Sequence, residues 1–462
     1  MCSNSIKVFL SASCLFAAIW SESKLPDDST TVFPQVYEQR NDISSKVLVI
    51  GDDYSLDLVK ASVLSDPVLL RVVTESGVEQ RYVDGPYHER NLYQDTGKQA
   101  SLILKPLRDG HYHVVGLLNF THRIEPLLNH ERSSRSGAAH KISKVVSRNG
   151  PLDAATSLGA GEDEIEAPAP DAEERAPQQS FTIELFAISD HMHATHFGTQ
   201  TDEHVEYLAA FWNSVSLRMQ QLDTPGFIAL IAIEMSATGT EPYLDPRPDG
   251  TLVSNETLLK LQQYTWRNRS IRVADVVFLV TGRDIVDLVP GGVSTDAAGV
   301  AYLGKACGIK KVGIGEDNPG HFSGVNVAAH EIAHLLSSPH DGEGTSSSCL
   351  ASDGYIMNPS TAGRNIFCFS DCSKKAIAAF LQSPQSYCLK DTNQNRHIVL
   401  LPDDSKKLPG ELMSGEQYCK FYFPKHPQVT YIKWDSDLRK CKFRCKLGVK
   451  AMGHQIMPLE LQ

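Results

Sequence analysis

Ten cysteines occur in the 462 residues, yet none lies between Cys14 and Cys307. A long stretch of the chain must therefore fold on apolar packing rather than on disulfides. No two cysteines make a CxxC pair, because three residues separate Cys368 from Cys372 and Cys441 from Cys445, which makes a thiol-bound structural zinc a secondary reading. Lysine and arginine nowhere form a run, and the formal net charge is -11. That balance excludes nucleic acid as a natural partner. Beyond the first residues no apolar stretch approaches the about 20 residues a bilayer span requires, so no membrane span is expected. No internal repeat at a fixed period is visible, which argues against a solenoid.

The opening "MCSNSIKVFLSASCLFAAIWSES" has one lysine, an apolar run from Val8 to Trp20, and small residues at Ser21 and Ser23. Residues 1–23 read as a secretory signal peptide, and the remaining chain as a secreted, extracellular protein. Cys2 and Cys14 would leave with the signal. The other eight cysteines all fall in the last third, an even number in a secreted chain, and imply a disulfide framework of undetermined connectivity.

Length permits two or three domains. From Lys24 to about Lys144, alternating apolar segments such as "KVLVI" and "SLILKPL" suggest a β-rich unit. Residues 149–179, rich in Ala, Pro, Gly and acid, read as a linker and processing region, so that 24–178 form a propeptide plus acidic linker. From Phe181 strands and helices alternate. "FTIELFAIS", "GFIALIAIEM" and "DVVFLVTG" read as strands, and Val205, Leu208, Trp212, Val215, Met219 and Leu222 fall on one helical face. An α/β domain over 179–390 is expected. Residues 391–462 read as a strand-poor, cysteine-containing C-terminal region that depends on disulfides.

The stretch "AAHEIAHLLSSPHDG" places His330, Glu331, His334 and His340 within eleven positions. Histidines four apart on a helix share a face and can both bind one ion. Glu331, next to the first histidine, can reach a water at that ion without being a ligand, as a general base must. His340 becomes a third ligand if the helix stops and the chain turns back. Pro339 forbids further regular helix. Seventeen residues beyond His340, "DGYIMNPS" puts Met357 in an Asn-Pro-containing turn.

These residues resemble the metzincin zinc metalloproteases. Asp341 after the third histidine and the upstream "GVAYLGKACGIKKVGIGEDN" look like the reprolysin (adamalysin) branch, most closely the secreted reprolysin-like metalloproteases of tick saliva. The likeness covers about Phe181 to Leu389 well and the tail weakly. It implies a metzincin catalytic domain: a twisted mixed sheet with long helices and a zinc cleft, preceded by a β-rich propeptide and followed by a small disulfide-rich tail. It also implies one catalytic Zn²⁺ on His330, His334 and His340, Glu331 as general base, Met357 as the floor of the site, an edge strand that binds substrate backbone, and a Cys307–Cys388 disulfide. Two departures stand out. Ser337 occupies the turn position where the family has glycine, at a cost of about 1–2 kcal/mol for a left-handed residue. Tyr355 stands where many reprolysins have a cysteine.

The expected activity is hydrolysis of peptide bonds in extracellular or host proteins such as matrix and fibrin(ogen). The competing reading is a weak or inactive protease-like protein that binds host surface proteins through its cysteine-containing tail; no RGD tripeptide supports it. Because no propeptide cysteine exists, latency would need steric cover or another ligand such as a histidine, with the chain's own propeptide as inhibitor. "RSSR" at Arg132 to Arg135 and the region of Arg175 are candidate cleavage points. Asn119, Asn255 and Asn268 begin N-x-S/T triplets and are candidate glycan sites.

Overall fold

A computed structural model describes residues 30–39, 42–107, 110–127, 137–145, 180–359 and 363–390, with Leu25 and short C-terminal pieces at 416, 419–420, 428–432, 442–446 and 454–458. The signal peptide, the acidic linker, Arg132 to Arg135, Arg175 and Cys441 lie outside the described residues.

The N-terminal region is β-rich, as its alternation predicts. Its strands are β1 (Thr31–Val32), β2 (Gln35–Gln39), β3 (Asp42–Ile50), β4 (Tyr54–Lys60), β5 (Leu64–Thr74), β6 (Gly77–Val83), β7 (Leu92–Asp95), β8 (Ala100–Pro106), β9 (Tyr112–Leu117), β10 (His122–Pro126) and β11 (His140–Lys144), with the short helix α1 (Gly85–His88) after β6. Nine of them form one sheet in the order β1-β11-β10-β9-β8-β7-β4-β3-β2. Successive side chains point to opposite faces. Leu102 and Leu104 of β8 accordingly join a core internal to this sheet. Ile103, between them, belongs to the core that runs on into the rest of the molecule.

The second sheet is built around β12 (Phe181–Ser189), β13 (Gly226–Ser236), β15 (Val276–Thr281), β18 (Gly299–Ala301) and β19 (Val312–Glu316). Two shorter strands, β16 (Ile285–Val289) and β17 (Gly292–Ser294), make a hairpin, and β14 (Leu252–Val253) pairs with β16. Helices α2 (His191–Thr195), α3 (Thr201–Met219), α4 (Ser254–Arg267), α5 (Arg269–Arg272), α6 (Val325–Leu335) and α7 (Asp371–Gln382) intervene. The order β18-β19-β15-β12-β13-β5-β6 is mixed: β12, β13, β15 and β19 run parallel, and β18 is antiparallel to β19. Parallel strands buried on both faces read as near-continuous apolar runs. "FTIELFAIS" and "VVFLVT" do so, every residue of the second being buried.

Two findings go beyond the sequence patterns. The hairpin β5–β6 leaves the N-terminal sheet and extends the second sheet, β5 lying parallel to β13. Helix α3 is buried well beyond its apolar stripe, with Glu206, Asn213 and Arg218 also shielded from water, because the N-terminal strands cover its other side. Cys307 is disulfide-bonded to Cys388, and Cys349 to Cys372.

Residues 399–462 form a separate unit. The expectation of few strands there is corrected: β20 (Thr430–Ile432), β21 (Lys442–Lys446) and β22 (His454–Pro458) pair antiparallel, and Cys419 bonds Cys445. Strand β21 reads KFRCK, a period-2 pattern too short to stand out against its neighbours.

Candidate metal centre

Helix α6 carries His330, Glu331 and His334, and both of its ends are fixed. At the N-terminal end, Asp317 Oδ1 accepts from the Gly324 amide at 2.8 Å. Its other oxygen accepts from the Tyr207 hydroxyl at 2.6 Å and lies 3.1 Å from His193 Nε2. His193 Nδ1 in turn sits 2.8 Å from Ser189 Oγ. This serine, histidine and aspartate are fully buried, so the trio anchors the helix and presents no nucleophile to solvent.

At the C-terminal end the Leu336 amide closes the last α-helical bond to Ile332 O. Ser337 then adopts φ +73°, the left-handed conformation that the missing glycine would have supplied. The Ser337 amide donates to His334 O at 2.8 Å and the Ser338 amide to Ala333 O at 2.9 Å. This pair of bonds is a Schellman motif with serine in the glycine position. It turns the chain so that Pro339 and His340 run back beside the helix.

The turn also orients a ligand. A carbonyl oxygen only accepts, so His334 Nδ1, 2.8 Å from Ser338 O, must carry the proton. His330 Nδ1 likewise donates to Ile356 O at 2.7 Å. In both rings the lone pair is thus placed on Nε2, the arrangement by which a backbone carbonyl fixes the tautomer of a metal-binding histidine. His340 Nδ1 faces Glu343 Oε2 at 3.5 Å.

The three imidazoles offer ligand nitrogens within 4.8 Å of one another. His330 Nε2 and His340 Nε2 are 3.3 Å apart. Two nitrogens each about 2.05 Å from a tetrahedral zinc ion are separated by about 3.3 Å, so this spacing is that of two zinc ligands. Neutral imidazoles on three sides suit one Zn²⁺, and these residues could hold it.

Met357 is fully buried in the apolar core, and its carbonyl accepts from the Asp341 amide at 2.9 Å. Asp341 is buried as well. Burial raises its carboxyl above the usual range, while the hydroxyls of Ser370 and Ser373 oppose the rise. The Ser370 hydroxyl donates to Asp341 Oδ1 at 2.6 Å and also accepts from the Ser373 amide at the start of α7. Asp341 thereby ties the residue after the third histidine to that helix.

Sequence reasoning passed over three contributors. The carbonyls of Ile356 and Ser338 are backbone groups with no residue-type signature. Gly299, first residue of "GVAYLG", is the third: a Cβ there would lie 2.6 Å from Glu331 Oε1 and 2.7 Å from Val327 Cγ1. A glycine inside a strand often marks a close approach of this kind.

The glycan candidates sit elsewhere. Asn119 accepts from the Thr121 amide in an exposed turn, Asn255 lies in the first turn of α4, and Asn268 Nδ2 donates to Tyr264 O at 2.8 Å. No described helix is long and apolar enough to cross a membrane.

Residues 182–393 match the model of the reprolysin (M12B) family of zinc metalloproteases. A relative from Bombyx mori, described as a disintegrin and metalloproteinase with thrombospondin motifs like, is 31% identical over 237 residues, 46% of this chain and 33% of that protein. The chain thus spans about a third of that relative. The venom metalloproteinase antarease of Tityus serrulatus is 24% identical over 78% of this chain and 92% of its own length. A venom metalloproteinase of Olivierus martensii is 27% identical over 82% and 96%.

Proposed function

We propose that the chain, which matches the reprolysin family of zinc metalloproteases over residues 182–393, is a secreted endopeptidase in which His330, His334 and His340 hold the metal and Glu331 is the general base. The observation that carries this reading is the convergence of three ring nitrogens within 4.8 Å, two of them oriented by backbone carbonyls. When bound, zinc supplies Lewis acidity, which polarises the scissile carbonyl and makes a water acidic near neutral pH.

The chain's own residues do the rest. Glu331 takes the proton of the attacking water on a carboxylate oxygen and delivers it to the leaving amine. Strand β18 is an outer strand of its sheet, and we assign to it the role of receiving an extended peptide as an added strand. The position of Gly299 beside Glu331 brings a peptide so bound close to the base.

Matrix proteins and fibrin(ogen) outside the cell are the substrates we assign, in keeping with the venom metalloproteinases among the relatives. The turn at Ser337 and the 3.3 Å between His330 Nε2 and His340 Nε2 support the endopeptidase reading over that of a binding-only protein. We assign latency to the chain's own residues before Phe181, acting without a cysteine.

The test is cleavage of fibrinogen and gelatin by purified protein. Wild type should cut both and lose activity to a zinc chelator; Glu331→Gln should keep its zinc and lose about 10³-fold in rate. The uncut chain should be slower than one cut within 146–179. Chelator-resistant cleavage, or a Glu331→Gln variant at wild-type rate, overturns the assignment.

A further inference from the structure

Glu234 lies in β13 with a fully buried carboxylate. Two groups hold it: the Tyr264 hydroxyl, at 2.8 and 3.0 Å from its oxygens, and Arg71 Nε at 2.7 Å. The tyrosine comes from α4. The arginine comes from β5, in the N-terminal region, and is itself 3% exposed, with a further donation to Ser270 Oγ at 2.7 Å. The only counter-charge in contact with this buried carboxylate among the described residues is therefore supplied from across the linker.

The backbone repeats the message. Strand β5 pairs with β13 along most of its length, and further bonds continue the ladder at both ends, Leu230 N to Val63 O and Ala237 N to Val73 O. Without β5, strand β13 becomes an edge with unpaired amides and carbonyls next to apolar side chains, the arrangement that invites aggregation.

A second contact is just as closed. The outward side of α3 carries polar groups that water would satisfy if the N-terminal strands left. Instead Asn213 Nδ2 donates to Ser101 Oγ at 3.0 Å, Ser101 Oγ donates to Ala210 O at 3.0 Å, and Lys105 Nζ meets Glu206 Oε2 at 2.6 Å. Val68 and Leu70 of β5 lie in one continuous core with Leu230, Ile233 and Trp212. Interfaces that part easily are largely polar, whereas obligate ones resemble a core cut in half, as this shared apolar core does.

We propose that the N-terminal region is a permanent structural part of the protease fold: after a cut between residues 146 and 179, the fragment ending there remains docked through β5–β6 and α3 as the second chain of a two-chain protein. The occupant of the β13 edge is this chain's own segment 63–83, chosen by the parallel register and by the Arg71–Glu234 pair. Activation then requires the cut alone and not departure of the fragment. The inference does not depend on the chemistry at the metal centre.

The experiment replaces part of 150–178 in the full chain with the recognition sequence of a site-specific protease, cuts the purified protein, and runs it on a sizing column without denaturant. Both fragments should elute together at the mass of the intact chain and separate only in denaturant. Separate elution of the N-terminal fragment overturns the proposal, whether the other fragment stays dissolved or precipitates. Arg71→Met leaves Glu234 buried without its cation and should speed loss of the fragment on dilution at least 10-fold. The double variant Arg71→Met/Glu234→Met, apolar on both sides, should restore retention. Equal retention in all three overturns the role given to the ion pair, and if the single variant fails to fold, the cut wild type and the double variant still decide.

Discussion

At one end of the seven-stranded sheet β18 is three residues long, Gly-Val-Ala, without a charge; at the other end β6 reads Gly-Val-Glu-Gln-Arg-Tyr-Val and exposes its first five residues to water. Both are outer strands of the same sheet. Charged side chains such as Glu79 and Arg81 are a standard device for stopping a further strand from adding to an edge. Strand β18 lacks the device, and it is the edge that faces Glu331. The contrast separates the edge that the fold protects from the one at which we propose a peptide adds. The N-terminal hairpin fills the β13 edge with the chain's own residues and then ends in a protected strand, while the edge near the histidines is a short strand without charged side chains.

The largest test of that contrast is Gly299→Ala. The added Cβ would fall 2.6 Å from Glu331 Oε1 and 2.9 Å from Glu331 Cγ. A carboxylate can swing aside, so the fold should survive, but the proposed base then leaves its place. Misplacement of a catalytic group by about 1 Å costs on the order of 10²-fold in rate. Peptide hydrolysis should therefore fall by about that factor, chiefly in kcat, with zinc content and far-UV circular dichroism unchanged. Wild-type kcat in this variant would show that Glu331 and the β18 edge do not work together.

The N-terminal sheet, from which the β5–β6 hairpin departs, is tested by acid. His140 in β11 is buried, accepts from the Val114 amide on Nε2 at 2.9 Å and lies 2.9 Å from Ala138 O through Nδ1. Burial pushes its pKa down from 6.5 to about 4, and the nearby His113 adds to the shift. A histidine with a depressed folded-state pKa binds its proton more readily when unfolded. Its contribution is therefore intact above about pH 6.5 and is lost as pH falls toward 4. The full loss is about 3 kcal/mol. Hydrogen exchange at the Val114 amide should accelerate across that window beyond its ordinary pH dependence, and His140→Gln should flatten the response. Exchange that tracks the ordinary dependence down to pH 4.5 would show that His140 does not govern the N-terminal sheet.

How much of this was legible in the sequence follows the range of each interaction. The metal centre is built from side chains close together in the chain, and its histidine spacing, Pro339 and Met357 state local geometry that the folded chain repeats. Strands buried on both faces announced themselves as apolar runs. The β5–β13 pairing was hidden because its partners are more than 160 residues apart and "VLLRVV" alternates no differently from strands that stay in the N-terminal sheet. Nothing local to Arg71 or Glu234 marks either as buried; only the pairing places one against the other. The burial of α3 on its polar side was invisible for the same reason. Asn213 and Arg218 lie off the apolar stripe, and only a second layer packed on them makes them interior.

Ser337 gives the smallest effect and bears on how the open edge is held. Its φ of +73° is paid in backbone strain by a residue with a Cβ. Gly304, just after β18, packs on it closely: a Cβ on Gly304 would be 3.1 Å from Ser337 Oγ, and the Gly304 amide donates to His334 O at 2.8 Å. The turn thus joins the metal-binding helix to the segment that follows the open edge. Ser337→Gly removes the strain and leaves the backbone bonds of the motif intact, while the freer unfolded chain takes back part of the gain. A net stabilisation of about 0.5–1 kcal/mol should appear as a rise of a few degrees in Tm, with zinc affinity and kcat/KM unchanged. If kcat/KM instead changed several-fold, the serine hydroxyl would be holding the loop after β18 in place, and the turn would be part of the peptide-binding edge rather than only its support.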